Sequence, residues 1–216
     1  MEERNLELIP RREGTREKVI PAIVKFQLSD IENHFKENIR YIRAQFHIAD
    51  NLLQEDREEE AKNIWRSQIV FLESAFDFYM HELNKYGLSE MFIGNWEKTE
   101  KYSNLSIKMD IVDKALNARE DTGWFLEFVN EFYKDKTLVS YESVKDQMNL
   151  LGLKIKDKLK YRLQELYDCR NVIAHQAGRR HSDAQRENIS KKMVEVYIED
   201  VEKIVEKIQE LAQQKG

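Results

Sequence analysis

Residues 65–83 read WRSQIVFLESAFDFYMHEL, and this run decides the fold. Its apolar residues Trp65, Ile69, Leu72, Phe76, Tyr79 and Leu83 recur in alternating steps of four and three, the repeat of one helix face. Phe71, Ala75 and Phe78 lie on the adjoining face, so the helix is apolar around much of its girth and belongs at the centre of a bundle. Gly87 is expected to end it.

The same period appears on either side. Upstream, SDIE at 29–32 has the form of a capping box and announces a helix with Ile31, Phe35, Ile39, Ile42, Phe46, Ala49 and Leu53 on its face. Downstream, residues 88–152 resolve into shorter helices. One carries the stripe Leu105, Met109, Val112 and Leu116, and a second carries Trp124, Phe125, Phe128, Val129 and Phe132. A third, capped by Ser140, carries Val144, Met148 and Leu151. Two long helices follow, from about Asp157 to Ala177 with Gly178 as the stop, and from about Ile189 to Leu211. The expectation is an all-α fold, a four-helix up-and-down bundle with short helices inserted between the second and third long ones. Residues 1–28, punctuated by Pro10 and Pro21, read as an irregular arm before a single helical domain over 29–216.

Composition agrees. Charged residues make up 35% of the 216, with only 7 Gly and 2 Pro, too few turn residues for a many-stranded sheet. Cys169 is the single cysteine, which rules out an intramolecular disulfide and fits a reducing, cytoplasmic setting. The charged N-terminus does not read as a signal peptide, and no apolar stretch is long enough to span a membrane. The net charge of −5 is unevenly spread. Between Lys154 and Lys192 there are eleven Lys/Arg against five Asp/Glu, a basic segment in an acidic chain that suits a local anion site or a solvated face. No metal-ligand spacing and no glycine-rich phosphate loop are present, so no cofactor is expected.

The third long helix carries the functional question in YDCRNVIAHQAGRRH, residues 167–181. Leu159, Leu163 and Leu166 define its buried face, and Arg170, seven residues after Leu163, falls on that face. A guanidinium cannot shed its charge, so at a core position it needs an anion or hydrogen-bond partners. Asn171 and His175 are four apart and point the same way. Arg170 and His175 are about 140° apart around an ideal helix. They converge only if the helix loosens before Gly178 or if two copies pack with these helices together. The trio holds what metal-free RNA cleavage needs: an imidazole to move a proton, an arginine for phosphate charge and an asparagine to orient either.

This segment resembles the HEPN superfamily, small helical domains with an R-x(4–6)-H motif late in the bundle. In RNVIAH, Arg170 and His175 match the motif pair and Asn171 its polar position. The run RSQIVFLESAFDFYMHEL resembles the RiboL-PSP-HEPN branch, whose matching helix has a pattern like DxYxHE; here that is Asp77, Tyr79, His81 and Glu82. The likeness covers roughly residues 29–212. It implies a homodimer with both motifs in one composite cleft and metal-independent endoribonuclease activity leaving 2′,3′-cyclic phosphates. It also implies a toxin or anti-phage effector with an antitoxin or defence-system partner; other members are catalytically silent and bind RNA, nucleotide or protein. Members silenced by a nucleotidyltransferase often carry a tyrosine two residues after the motif histidine. Here that position is Ala177, so the resemblance does not reach that mode of silencing.

His81 and Glu82 line the same cleft on this reading, or fix the second helix through buried hydrogen bonds. Arg179, Arg180 and His181 suit the backbone phosphates of a bound strand, or form an exposed basic loop. Cys169 reads as a packed residue rather than a nucleophile.

Overall fold

A computed structural model describes residues 27–118, 123–154, 160–179, 182 and 184–216, and among these the protein is all-helical with a single isolated β-bridge. Among the described residues nine helices follow one another: α1 (Leu28–Ala44), α2 (Phe46–Gln54), α3 (Glu58–Ile93), α4 (Glu100–Ser103), α5 (Met109–Asn117), α6 (Gly123–Tyr133), α7 (Tyr141–Leu151), α8 (Lys160–Gln176) and α9 (Lys191–Gln213). Residues 1–26 of the expected arm, and Leu159 of the α8 stripe, lie outside the described residues. No helix among the described residues is long and apolar enough to cross a membrane.

The 36-residue α3 organises the fold, packing against α1, α2, α6, α7, α8 and α9. Trp65, Ile69, Leu72, Phe76, Tyr79 and Leu83 are all buried, as the period requires. Buried polar groups tie its neighbours to it. The Tyr79 hydroxyl donates to Gln209 Oε1 of α9 at 3.0 Å, and Gln209 Nε2 donates to the Leu28 carbonyl at the start of α1 at 2.7 Å. One amide thus satisfies two helices at once.

The first helix differs from its sequence reading in two ways. It starts at Leu28, where the Asp30 carboxylate accepts the Gln27 N–H at 2.8 Å, so Ser29 is not the cap. It also breaks at Gln45, although neither Gly nor Pro is there. The buried Gln68 side chain donates to the Ile42 carbonyl at 2.8 Å, while Gln45 N–H reaches back only three residues to the same oxygen at 3.1 Å. A side chain inserted into the hydrogen-bond ladder is a recognised cause of a kink. Beyond the break Ala49 is buried but Leu53 is exposed.

Gly87 does not end α3. The helix runs on to Ile93 and stops at Gly94, whose φ of 87° is the left-handed conformation of a glycine cap. Gly87 is there for close approach: a Cβ on it would meet Leu151 Cδ2 at 2.6 Å and Trp96 Cζ3 at 2.8 Å. Leu151 and Trp96 are themselves buried, so neither can yield freely. Gly87→Ala should therefore lower stability by about 1–3 kcal/mol despite alanine's better helix propensity. Urea denaturation at constant m-value measures this, and a stabilised variant would show that α7 can move away.

Among the short helices, α7 behaves as read, with Ser140 Oγ accepting the Ser143 N–H at 3.2 Å and Val144, Met148 and Leu151 buried. The α5 stripe is corrected: Met109 and Leu116 are 71% and 76% exposed, and Ile111 is the residue α5 buries. In α6, Phe125, Phe128 and Val129 are buried as expected, joined by Tyr133. Leu163 and Leu166 of α8 are buried, contributing roughly 1.5–3 kcal/mol each to docking this helix. Helix α8 packs on α3, α7 and α9, which carries its motif face toward α3. Helix α9 is capped by Ser190, whose Oγ accepts the Met193 N–H at 3.3 Å.

Candidate active site

Arg170 continues the buried stripe of α8, and its anion is Glu73 on the facing α3. Arg170 Nε stands 2.5 Å from Glu73 Oε2 in an ion pair, and the Glu73 side chain is 3% exposed. The guanidinium turns its other edge outward. Nη1 donates to Asn171 Oδ1 at 3.1 Å and stands 3.5 Å from His175 Nε2. The three motif residues therefore converge within one chain. The expectation that a straight helix would hold Arg170 and His175 apart is wrong because it counted Cα directions; the long arginine side chain bends across the turn to reach the imidazole. Asn171 is half-buried, and His175 is exposed in the last turn of α8.

Glu73 was invisible in the sequence reading. An acidic residue inside WRSQIVFLESAFDFYMHEL looks like one on the solvent side, and only the docking of α8 covers it. Burial pushes its carboxyl up to about 7 from an ordinary 4.5; Arg170 pulls in the other direction, and Asp77 adds to the rise. Because the folded value is the higher one, the native state holds the extra proton, and stability falls as pH rises from about 4.5 to 7. The ionised form costs the fold about 3 kcal/mol at most. Among the described residues, Glu73 Oε1 has no hydrogen-bond partner.

Arg170 and Glu73 open onto a cleft of about 430 Å³, also lined by Asp77, His81, Glu82 and Lys134. This brings His81 and Glu82 beside Arg170. Their bonds are nonetheless structural in kind. His81 Nε2 meets the Lys136 carbonyl at 2.9 Å, and Asp77 Oδ1 accepts the Leu138 N–H at 2.6 Å. Together they fasten the loop between α6 and α7, where Lys136 Nζ also sits 3.1 Å above the Phe132 ring. Glu82 pairs with Lys85 at 3.2 Å. Next to this cleft, and sharing Ser74 and Phe78 with it, a groove of about 620 Å³ runs between α1 and α3. Tyr41, Phe71 and Phe78 edge it and are 58%, 50% and 44% exposed.

Just after the motif, Gly178 and Arg179 are tied to residues 184–187. The Glu187 N–H donates to the Gly178 carbonyl at 2.8 Å, and Arg179 bridges to Arg186. Arg179 Nη1 donates to the Ala184 carbonyl at 2.9 Å, so this guanidinium braces its own loop and does not line the Arg170 cleft. Arg180 and His181 lie outside the described residues. A second residue the sequence reading missed is Arg66 of α3, buried beneath this loop, with Nη2 donating to the Glu187 carbonyl at 3.2 Å. Cys169 is packed, and burial pushes its thiol up to about 11, which removes it as a nucleophile at neutral pH. No group of three or more His, Cys, Asp or Glu among the described residues is placed to hold a metal ion.

The arrangement can bind an oxyanion at the Arg170 edge while an exposed imidazole stands beside it. Comparison with protein-family models, curated proteins and solved structures found no match for this chain.

Proposed function

We propose that this chain is a metal-independent endoribonuclease of the HEPN type, and the observation that carries the reading is the convergence of Asn171 and His175 on Arg170, which itself lines a cleft. Four long helical units would form the HEPN-like core: α1 with α2, α3, α8 and α9, with α4 to α7 as the insertion. The substrate is single-stranded RNA. His175 takes the proton of the ribose 2′-OH, the 2′-oxygen attacks phosphorus, and the bond to the 5′-oxygen breaks. The products are a 2′,3′-cyclic phosphate and a 5′-hydroxyl. Arg170 stabilises the charge gathered on the non-bridging oxygens, and Asn171 holds the guanidinium.

The working form is a homodimer. Burying Phe71 and Phe78 against a second copy would bring two Arg170 clefts together, and the partner's His175, starting protonated, would give its own proton to the leaving oxygen. Restraint by an antitoxin or defence-system partner follows from the same reading, as does a cytoplasmic setting. The test uses the purified protein, single-stranded RNA and EDTA, with a matched strand carrying one 2′-deoxy sugar at each observed cut. Cleavage in EDTA, blocked at the deoxy sugar, supports the assignment. Dependence on a divalent metal, or products with 3′-hydroxyl ends, overturns it.

One observation favours a second reading. The aromatic groove beside the site suits a catalytically silent HEPN dimer that binds RNA, nucleotide or protein. A folded dimer that retains RNA or protein binding without cleavage would select it.

A further inference from the structure

Glu73 is unusual among the carboxylates of this chain. It is nine-tenths buried or more, sits at the base of the Arg170 cleft, and leaves Oε1 unmatched. A fold gains nothing by burying a carboxylate in this way: a neutral glutamine of the same shape would avoid the desolvation penalty. Such a residue makes sense where its charge does something the fold does not need.

Its charge acts on one edge of one guanidinium. Glu73 Oε2 meets Arg170 at Nε, while Nη1 faces Asn171 and His175. The Nε–Glu73 contact is an ion pair without hydrogen-bond geometry; it draws one edge of the planar group toward the buried carboxylate and leaves the other toward Asn171 and His175. Without that anchor the side chain regains rotamers that carry the outer edge away from His175. The geometry points to Glu73 as a positioning residue that locks Arg170 in the orientation phosphate needs. This rests on the ribonuclease reading above. Glu73 itself is too enclosed to touch substrate.

The lock responds to protons. The charged and titratable groups that share the cleft with Glu73 are Arg170 from α8, Asp77, His81, Glu82 and Lys85 from α3, Tyr133 from α6 and Lys134 just beyond it. Arg170 alone opposes burial strongly enough to matter, and Asp77 works against it. The lock is engaged above about pH 7 and released below it.

The experiment compares wild type with Glu73→Gln and Glu73→Asp. At pH 8, Glu73→Gln should melt about 5 °C higher than wild type, with the gap closing toward pH 5 as the native carboxyl takes up its own proton. At pH 8 its kcat for RNA cleavage should fall about tenfold with KM little changed, and this gap too should close toward pH 5. Wild type should show an acid limb near pH 7 that Glu73→Gln lacks, and Glu73→Asp should restore part of the rate. A variant that gains stability while losing rate fits a positioning role and excludes a merely structural one. Unchanged kcat, or parallel loss of stability and rate, overturns the inference. If wild type cleaves no RNA, the activity is what has failed, and NMR titration of the Glu73 carboxyl carbon still decides the lock. Its midpoint should move to higher pH in Arg170→Gln, and a midpoint that stays put removes the coupling.

Discussion

His175→Ala should reduce RNA cleavage by about 10²–10⁴-fold, the span that removal of a general acid–base group produces. The imidazole is exposed, and its contact is with Arg170 Nη1 at 3.5 Å, so truncation opens no cavity and strands no buried partner. Surface substitutions of this kind stay within about 0.5 kcal/mol of wild type. The expected variant is therefore folded, keeps the oligomeric state of wild type, and does not cut RNA. Cleavage rates from single-turnover assays, set beside melting curves of the same samples, check both halves. A variant that cuts at the wild-type rate would mean that the imidazole carries no proton, and the ribonuclease assignment would fall with it.

That His175 is worth testing was legible in the sequence, and so was the frame that holds it. The period of Trp65 to Leu83 placed α3 at the centre, and the seven-residue step from Leu163 placed Arg170 inward. These readings succeed because helix geometry is set locally, by about 100° of rotation per residue. What depends on a second helix was not legible. Gly87 looked like a stop because glycine commonly is one; only the nearness of Leu151 and Trp96 shows that it makes room. The break at Gln45 is caused by a side chain 23 residues away, Gln68, and leaves no mark on its own segment. Met109 and Leu116 keep helical spacing without being covered, because α5 packs mainly against α6 and turns Ile111 inward instead.

The site divides along the same line. Its residue types and their order could be read; its electrostatics could not. An arginine on a buried stripe demands an anion somewhere, but nothing in the α8 segment says that the anion is Glu73, roughly 100 residues earlier on a run that reads as apolar. Nor does the rotation between Arg170 and His175 reveal that a flexible guanidinium spans it. Arg66 is a parallel case, a buried cation whose partners, Asn63 and the Glu187 carbonyl, are set by tertiary packing.

Arg170→Lys tests whether the shape of the cation matters as well as its charge. It should lower cleavage by about 10²–10³-fold although the positive charge is kept. Arginine uses separate nitrogens for separate tasks, Nε toward Glu73 and Nη1 toward Asn171 and His175. A lysine has one ammonium to place. Drawn to the buried Glu73 carboxylate, it leaves Asn171 and His175 without their link and presents no planar edge to a phosphate. Held at the mouth of the cleft, it leaves Glu73 enclosed with its counter-ion further off, and the Glu73 carboxyl should then titrate at still higher pH than its present value of about 7. In either position the ion pair's contribution to the fold is partly kept, so melting should change far less than rate. Rates measured at pH 8, where Glu73 is ionised, separate the outcomes most cleanly. A lysine variant within a few-fold of wild type would mean that Arg170 serves as a point charge, and the argument from its three-way geometry would no longer hold.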